Sequence, residues 1–90
     1  MKLWVILYSN NKIVQQLVLE PIPSIPQTIE DWTPYLDEIC HAFDVPHPVM
    51  LTKHIQDMLQ FSKITFKPND FLESFHFQSL TLELLSDKKK

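Results

Sequence analysis

The sequence predicts an α+β fold, a two-layer sandwich made of an N-terminal β-hairpin, two consecutive helices, and one or two C-terminal strands in an antiparallel or mixed sheet. Three observations carry this expectation. Residues 2–8 and 12–20 are rich in Val, Ile, Leu and aromatics on either side of Ser9-Asn10-Asn11. Apolar residues recur at helical spacing over 31–43 and again over 50–62, and Leu80, Leu82 and Leu84 alternate with Thr81 and Glu83 near the C-terminus. Strands followed by helices bury their apolar sides against one another as two layers.

The hairpin comes first. Asparagine tolerates the left-handed geometry of a tight hairpin loop better than any residue except glycine, so Asn10-Asn11 replaces the usual Asn-Gly. A two-residue loop then sets Tyr8 opposite Ile13, Trp4 opposite Leu17 and Leu3 opposite Val18. One face carries Leu3, Val5, Leu7, Val14 and Val18; the other carries Trp4, Ile6, Tyr8, Ile13, Leu17 and Leu19. A strand apolar on both faces is normally covered on both. Two short helices cover only one face well, which makes the other a candidate contact surface with Trp4, Ile6, Tyr8 and Leu17 as its anchors. The competing reading makes Trp4 and Tyr8 core, covered by the connector and the last strands.

Pro21-Ile-Pro-Ser-Ile-Pro26 is an extended connector, excluded from helix interiors and central strands. Its Pro23 and Pro26 have PxxP spacing, although proline at a strand exit has an ordinary structural meaning. The first helix, Asp31 to Phe43, aligns Trp32, Leu36, Ile39, Cys40 and Phe43, with Asp31 as its cap and Pro34 in the tolerant first turn. Asp44-Val45-Pro46 ends it, because the residue before proline is pushed out of helical geometry. A second helix, Met50 to Ser62, aligns Leu51, Ile55, Met58 and Leu59. A short strand is expected at Lys63–Lys67, a turn at Pro68-Asn69-Asp70, and a half-buried strand at Leu80–Leu84. The Phe-rich stretch between these last two carries no regular signal.

Composition narrows function by exclusion. The 90 residues contain no glycine and seven prolines, where average usage gives roughly six glycines at this length. Phosphate-cradling loops, dinucleotide-binding turns and nucleophile elbows all lean on glycine and are absent. The length suits a single domain over 1–86 with a charged tail at 87–90. Net charge is −3, from eight basic against eleven acidic residues, and nucleic-acid binding is disfavoured because phosphate contacts require a basic face. Lys88, Lys89 and Lys90 read as a solubilising tail. One cysteine makes no internal disulfide, the apolar run after Lys2 is too short for a signal peptide, and no stretch matches a membrane span. A cytoplasmic protein without a cofactor is expected.

Four residues form the sharpest chemical constellation. Glu38 and His41 on the first helix, and His54 and Asp57 on the second, each set an imidazole three residues from a carboxylate. Carboxylate-bridged metal sites use such pairs, but take further glutamates from two more helices. A metal-dependent or histidine-assisted enzyme at these four residues is therefore the alternative, and solvated helix flanks the simpler reading. Cys40 on an apolar stripe reads as a small buried hydrophobe. His47 and His76 read as structural or exposed. Lys53, His54, Lys63 and Lys67 with Phe61 or Phe66 interleave too sparsely for a base-stacking surface.

From Glu38 onward the run EICHAFDVPHPVMLTKHIQDMLQFSKITFKPNDF resembles small uncharacterised bacterial proteins, of the kind found in Firmicutes, with an EICHALDLP helix end, a KH on the next helix and a DF after a proline turn. It covers residues 38–71, a little over a third of the chain, with Phe43 and Val45 in place of two leucines. The resemblance implies a bacterial cytosolic setting and brings no activity, cofactor or partner. The leading expectation is a non-enzymatic domain that self-associates, as a homodimer for example, or docks a protein partner through the aromatic face of the hairpin.

Overall fold

The computed structural model describes residues 1–20 and 22–85; Pro21, Ser86 and the tail expected at 87–90 lie outside them. Strands β1 (Lys2–Ser9) and β2 (Lys12–Leu19) form the expected hairpin. Asn10 and Asn11 make its loop at φ 54° and 63°, both left-handed as this turn type requires. Gln78 fixes the loop from outside: its side-chain oxygen accepts the Asn11 backbone N–H at 2.7 Å, and its amide donates to Asn11 Oδ1 at 2.9 Å.

The register of the hairpin differs from the expected one. Tyr8 faces Ile13, but an irregularity between Leu7 and Tyr8 absorbs one residue of β2. Leu7 therefore faces Gln15, Val5 faces Leu17, Trp4 faces Val18 and Leu3 faces Leu19. A one-residue slip exchanges the faces of everything beyond it. Leu17 and Leu19 thus join Leu3 and Val5 on the helix side, and Val18 takes the place expected for Leu17 beside Trp4. The cause lies in β2, which is apolar on both faces and does not select a register by pattern.

The helices α1 (Ile29–Phe43) and α2 (Thr52–Phe61) follow. Helix α1 starts earlier than expected, because Thr28 Oγ1 rather than Asp31 is the cap and accepts the Asp31 N–H at 3.0 Å; Asp31 sits in the first turn, favourably placed for the helix dipole. Both helices end in left-handed residues that are not glycine. Asp44 at φ 56° donates its N–H to the Cys40 carbonyl, and Ser62 at φ 59° to that of Met58, closing the turns that glycine ordinarily closes.

Two short C-terminal strands, β3 (Lys63–Phe66) and β4 (Ser79–Leu85), complete an antiparallel sheet of order β2-β1-β4-β3. Between them, Pro68–Asp70 form one 3-10 turn, Phe71 bridges to Pro48, and Phe71 stacks on Phe75 with ring centres 4.0 Å apart. The Phe-rich stretch is therefore held by ring packing and by Gln78 N–H to Tyr8 O at 2.8 Å. Irregular backbone is stable here because its aromatic side chains are buried, a gain of about 1.5–3 kcal/mol each.

The core lies between the helices and one face of the sheet. Leu3, Val5, Leu7, Leu80, Leu82, Ile64 and Phe66 meet Trp32, Leu36, Ile39, Ile55 and Met58. Trp32 also anchors the connector, donating its indole N–H to the Pro26 carbonyl at 3.1 Å. Pro26 is consequently buried, and the Pro23–Pro26 pair is not presented as a PxxP ligand. Among the described residues, no helix is long and apolar enough to cross a membrane.

Candidate functional site

Among the described residues, the opposite face of the sheet carries no helix. On it stand Trp4, Ile6 and Tyr8 from β1, Ile13, Gln16 and Val18 from β2, Ser79, Thr81 and Glu83 from β4, and Lys63 and Thr65 from β3. This face divides along the β1–β4 boundary. The β3–β4 half shows the polar alternation of an antiparallel sheet, with Lys63 and Thr65 exposed, Ser79 and Glu83 partly so, and Thr81 buried beside Ile6. The hairpin half does not: Ile13 is 46% exposed and Val18 44%.

The side chains of this half are ordered in spite of their exposure. Trp4 Nε1–H donates to Gln16 Oε1 at 3.0 Å. Since Gln16 is paired with Ile6, that bond runs diagonally past Ile6, which is 2% exposed yet lies outside the core cluster. Trp4 and Tyr8 remain half-buried. Of the four residues singled out from sequence, Trp4, Ile6 and Tyr8 share this face and Ile6 is its floor. Leu17 leaves it for the helix side, where it packs against the core. Ile13 keeps its expected place beside the aromatics, and Val18 joins it; sequence reasoning misses Val18 because the irregularity at Val14 has no glycine to announce it.

Strand β2 is also an edge. Among the described residues it pairs with β1 alone, and along Lys12–Leu19 it holds one charge, no proline and eight residues of length. Edges usually carry lysines, prolines or short strands that block pairing with another chain. The other edge, β3, does so: it has four residues, with Lys63 at one end and Lys67 just beyond the other.

The alternative constellation is dispersed. Glu38 and His41 are exposed on α1. His54, expected on a solvated flank, is 2% exposed, and helix α2 buries His54, Ile55 and Met58 while Leu51 and Leu59 stay exposed. The imidazole is engaged structurally, since its Nδ1 accepts the Leu51 backbone N–H at 2.9 Å and its ring lies 4.7 Å from that of Phe66. This satisfies a free N–H at the start of α2 from the third helical position, the reach-back half of a capping box. Burial lowers its pKa, with Lys53 acting in the same direction and Asp70 and Asp57 opposing.

With Nδ1 accepting, the neutral ring keeps its proton on Nε2, which points to Asp70 Oδ2 at 4.0 Å. That tautomer leaves no lone pair at Nε2 to act as a base. Asp70 itself accepts the Lys67 backbone N–H at 2.9 Å. A polar cavity of about 340 Å³ beside them is lined by Lys53, Asp57, Thr65, Lys67 and Asn69 as well. Among the described residues, no three His, Cys, Asp or Glu side chains gather into a metal-holding group. Cys40 is buried, its thiol raised to about 11 by burial and secondarily by Asp37, and it donates to the Pro46 carbonyl at 3.5 Å. No family model, curated protein or solved structure matches the chain.

Proposed function

We propose that this protein is a non-enzymatic interaction domain, which self-associates or docks a protein partner through the outer surface of its N-terminal hairpin. The observation that carries this reading is the exposed apolar pair Ile13 and Val18 beside Tyr8 and Trp4, on the face of the sheet that, among the described residues, no helix covers. Aromatic side chains held in place before contact lose little freedom on binding, which suits them as anchors. The polar β3–β4 half then forms the solvated margin of the contact.

Light scattering over a range of concentrations, with affinity capture by the same baits, tests the reading on wild type, Trp4→Glu and Tyr8→Glu. A species larger than a monomer, or a captured protein, is expected with wild type and is lost with both variants while their circular dichroism stays native. A monomer whose captures ignore both substitutions overturns it.

A further inference from the structure

Resting on the reading above, we infer that the occupant of the hairpin surface is a second copy of this chain, paired edge to edge through β2 in antiparallel orientation about a two-fold axis. The result is one continuous sheet with twice the four strands of a single copy.

Three features of β2 select this occupant. It is the less guarded edge: the irregularity at Val14 interrupts it once, but it holds one charge, no proline and eight residues, with a row of backbone N–H and C=O groups that another strand satisfies. Its ends carry opposite charges, Lys12 at the start and Glu20 directly after Leu19, both exposed. Antiparallel pairing brings the Lys12 end of one copy to the Glu20 end of the other at both ends of the seam, whereas parallel pairing sets like charges together. Glu20 meets Lys2 in its own chain at 3.6 Å, a bond between exposed side chains that leaves its second oxygen to an incoming lysine.

The third feature is self-complementarity of the faces. Strands in one sheet must place opposed residues on the same side. With Gln16 opposite its own counterpart on the axis, Gln15 meets Leu17 on the helix side. Beyond the irregularity at Val14, Ile13 meets Val18 on the open side. The two most exposed apolar positions shared with the Trp4 face thus cover each other twice, and the two Gln16 amides meet at the centre, each retaining free N–H donors while Oε1 holds Trp4. An interface built by a two-fold contains the same patch from both copies, and this patch matches itself.

Sedimentation equilibrium on wild type, Lys12→Glu, Glu20→Lys and an equal mixture of the two variants tests the pairing. Both positions are exposed, so folding is preserved. Wild type is expected to dimerise, each variant alone to do so about tenfold more weakly because both ends of its seam become like-charged, and the mixture to recover wild-type affinity because both ends become complementary. A wild-type monomer at every concentration, or a mixture that stays as weak as its components, overturns the inference. A dimer indifferent to both charges yet lost with Trp4→Glu overturns edge pairing while leaving the hairpin-surface reading standing.

Discussion

Trp4 and Gln16 are joined across the hairpin by a 3.0 Å hydrogen bond from the indole N–H to the side-chain amide oxygen, and this bond fixes how the helix-free face of the sheet looks. It draws the ring of Trp4 over the strand pair beside Ile6, so the face offers an ordered aromatic surface. Gln16→Ala removes the acceptor. The expected result is a rise in the quencher-accessible fraction of tryptophan emission, with Trp32 supplying the inaccessible part because it is buried. Stability falls by about 0.5–1.5 kcal/mol, the usual net worth of one such bond. Unchanged quenching would show that the bond does not hold the ring.

His54 makes the stability of the fold acid-sensitive. Its pKa lies below the ordinary 6.5 because of burial, so below that value the folded state binds fewer protons than the unfolded one. The stability linked to this histidine is complete above pH 6.5 and is lost as pH falls through 6.5 toward the lowered folded value. Protonation also removes the Nδ1 lone pair that accepts Leu51 N–H. Urea denaturation at about pH 7.5 and about pH 5.5 checks this, one point on either side of the ordinary histidine value. His54→Ala is expected to cost about 1–3 kcal/mol at the higher pH, because it empties the buried site of the ring beside Phe66 and removes the acceptor of the part-buried Leu51 N–H, and to flatten the pH dependence. His54→Gln restores an acceptor at the same helical position and recovers part of the loss.

The elements were legible in the sequence because each rests on a local signal: Asn10-Asn11 for the hairpin loop, the Trp32–Leu36–Ile39–Phe43 stripe for α1, and the Leu80–Leu84 alternation for β4. What stayed hidden depends on choices between equivalent patterns. Strand β2 reads as apolar in either register, and only the irregularity at Val14 decides that Leu17 faces the helices and Val18 faces Trp4. Helix α2 offers either Leu51 and Leu59 or His54 to complete the inner face of Ile55 and Met58. The tertiary contact of His54 with Phe66 and its bond to Leu51 select the second, and no count of hydrophobic residues contains that information. Sequence therefore places Trp4, Ile6 and Tyr8 together on one face of β1, and takes Leu17 rather than Val18 as their neighbour on β2.

Among the described residues, four that are not glycine hold positive φ, namely Asn10, Asn11, Asp44 and Ser62. Left-handed geometry costs an L-residue with a side chain about 1–2 kcal/mol relative to its helical well, and serine gains little of the local relief that asparagine does. Ser62→Gly is expected to stabilise the protein by about 1 kcal/mol, which for a domain of this size raises the melting temperature by about 4–8 °C. Asn11→Gly is expected to gain less, because it forfeits the side-chain bond from Gln78. Thermal melts of the two variants beside wild type decide the order; an equal or reversed ranking would place the strain elsewhere.

Cys40 reports on global opening. Its thiol is buried, donates to the Pro46 carbonyl at 3.5 Å, and is pushed up to about 11 by burial and by Asp37. The thiolate is the reactive form, so the native state is expected to resist a disulfide exchange reagent at about pH 8, where an ordinary cysteine reacts readily. Labelling then has to pass through opening of the corner between α1 and α2, since Pro46 caps the sulfur from that side. The labelling rate is expected to rise with urea along the same slope as the unfolding rate followed by tryptophan emission. Prompt stoichiometric labelling without denaturant would mean that the Asp44–Pro48 corner opens independently of the core, and it would assign Cys40 an accessible thiol in the native ensemble.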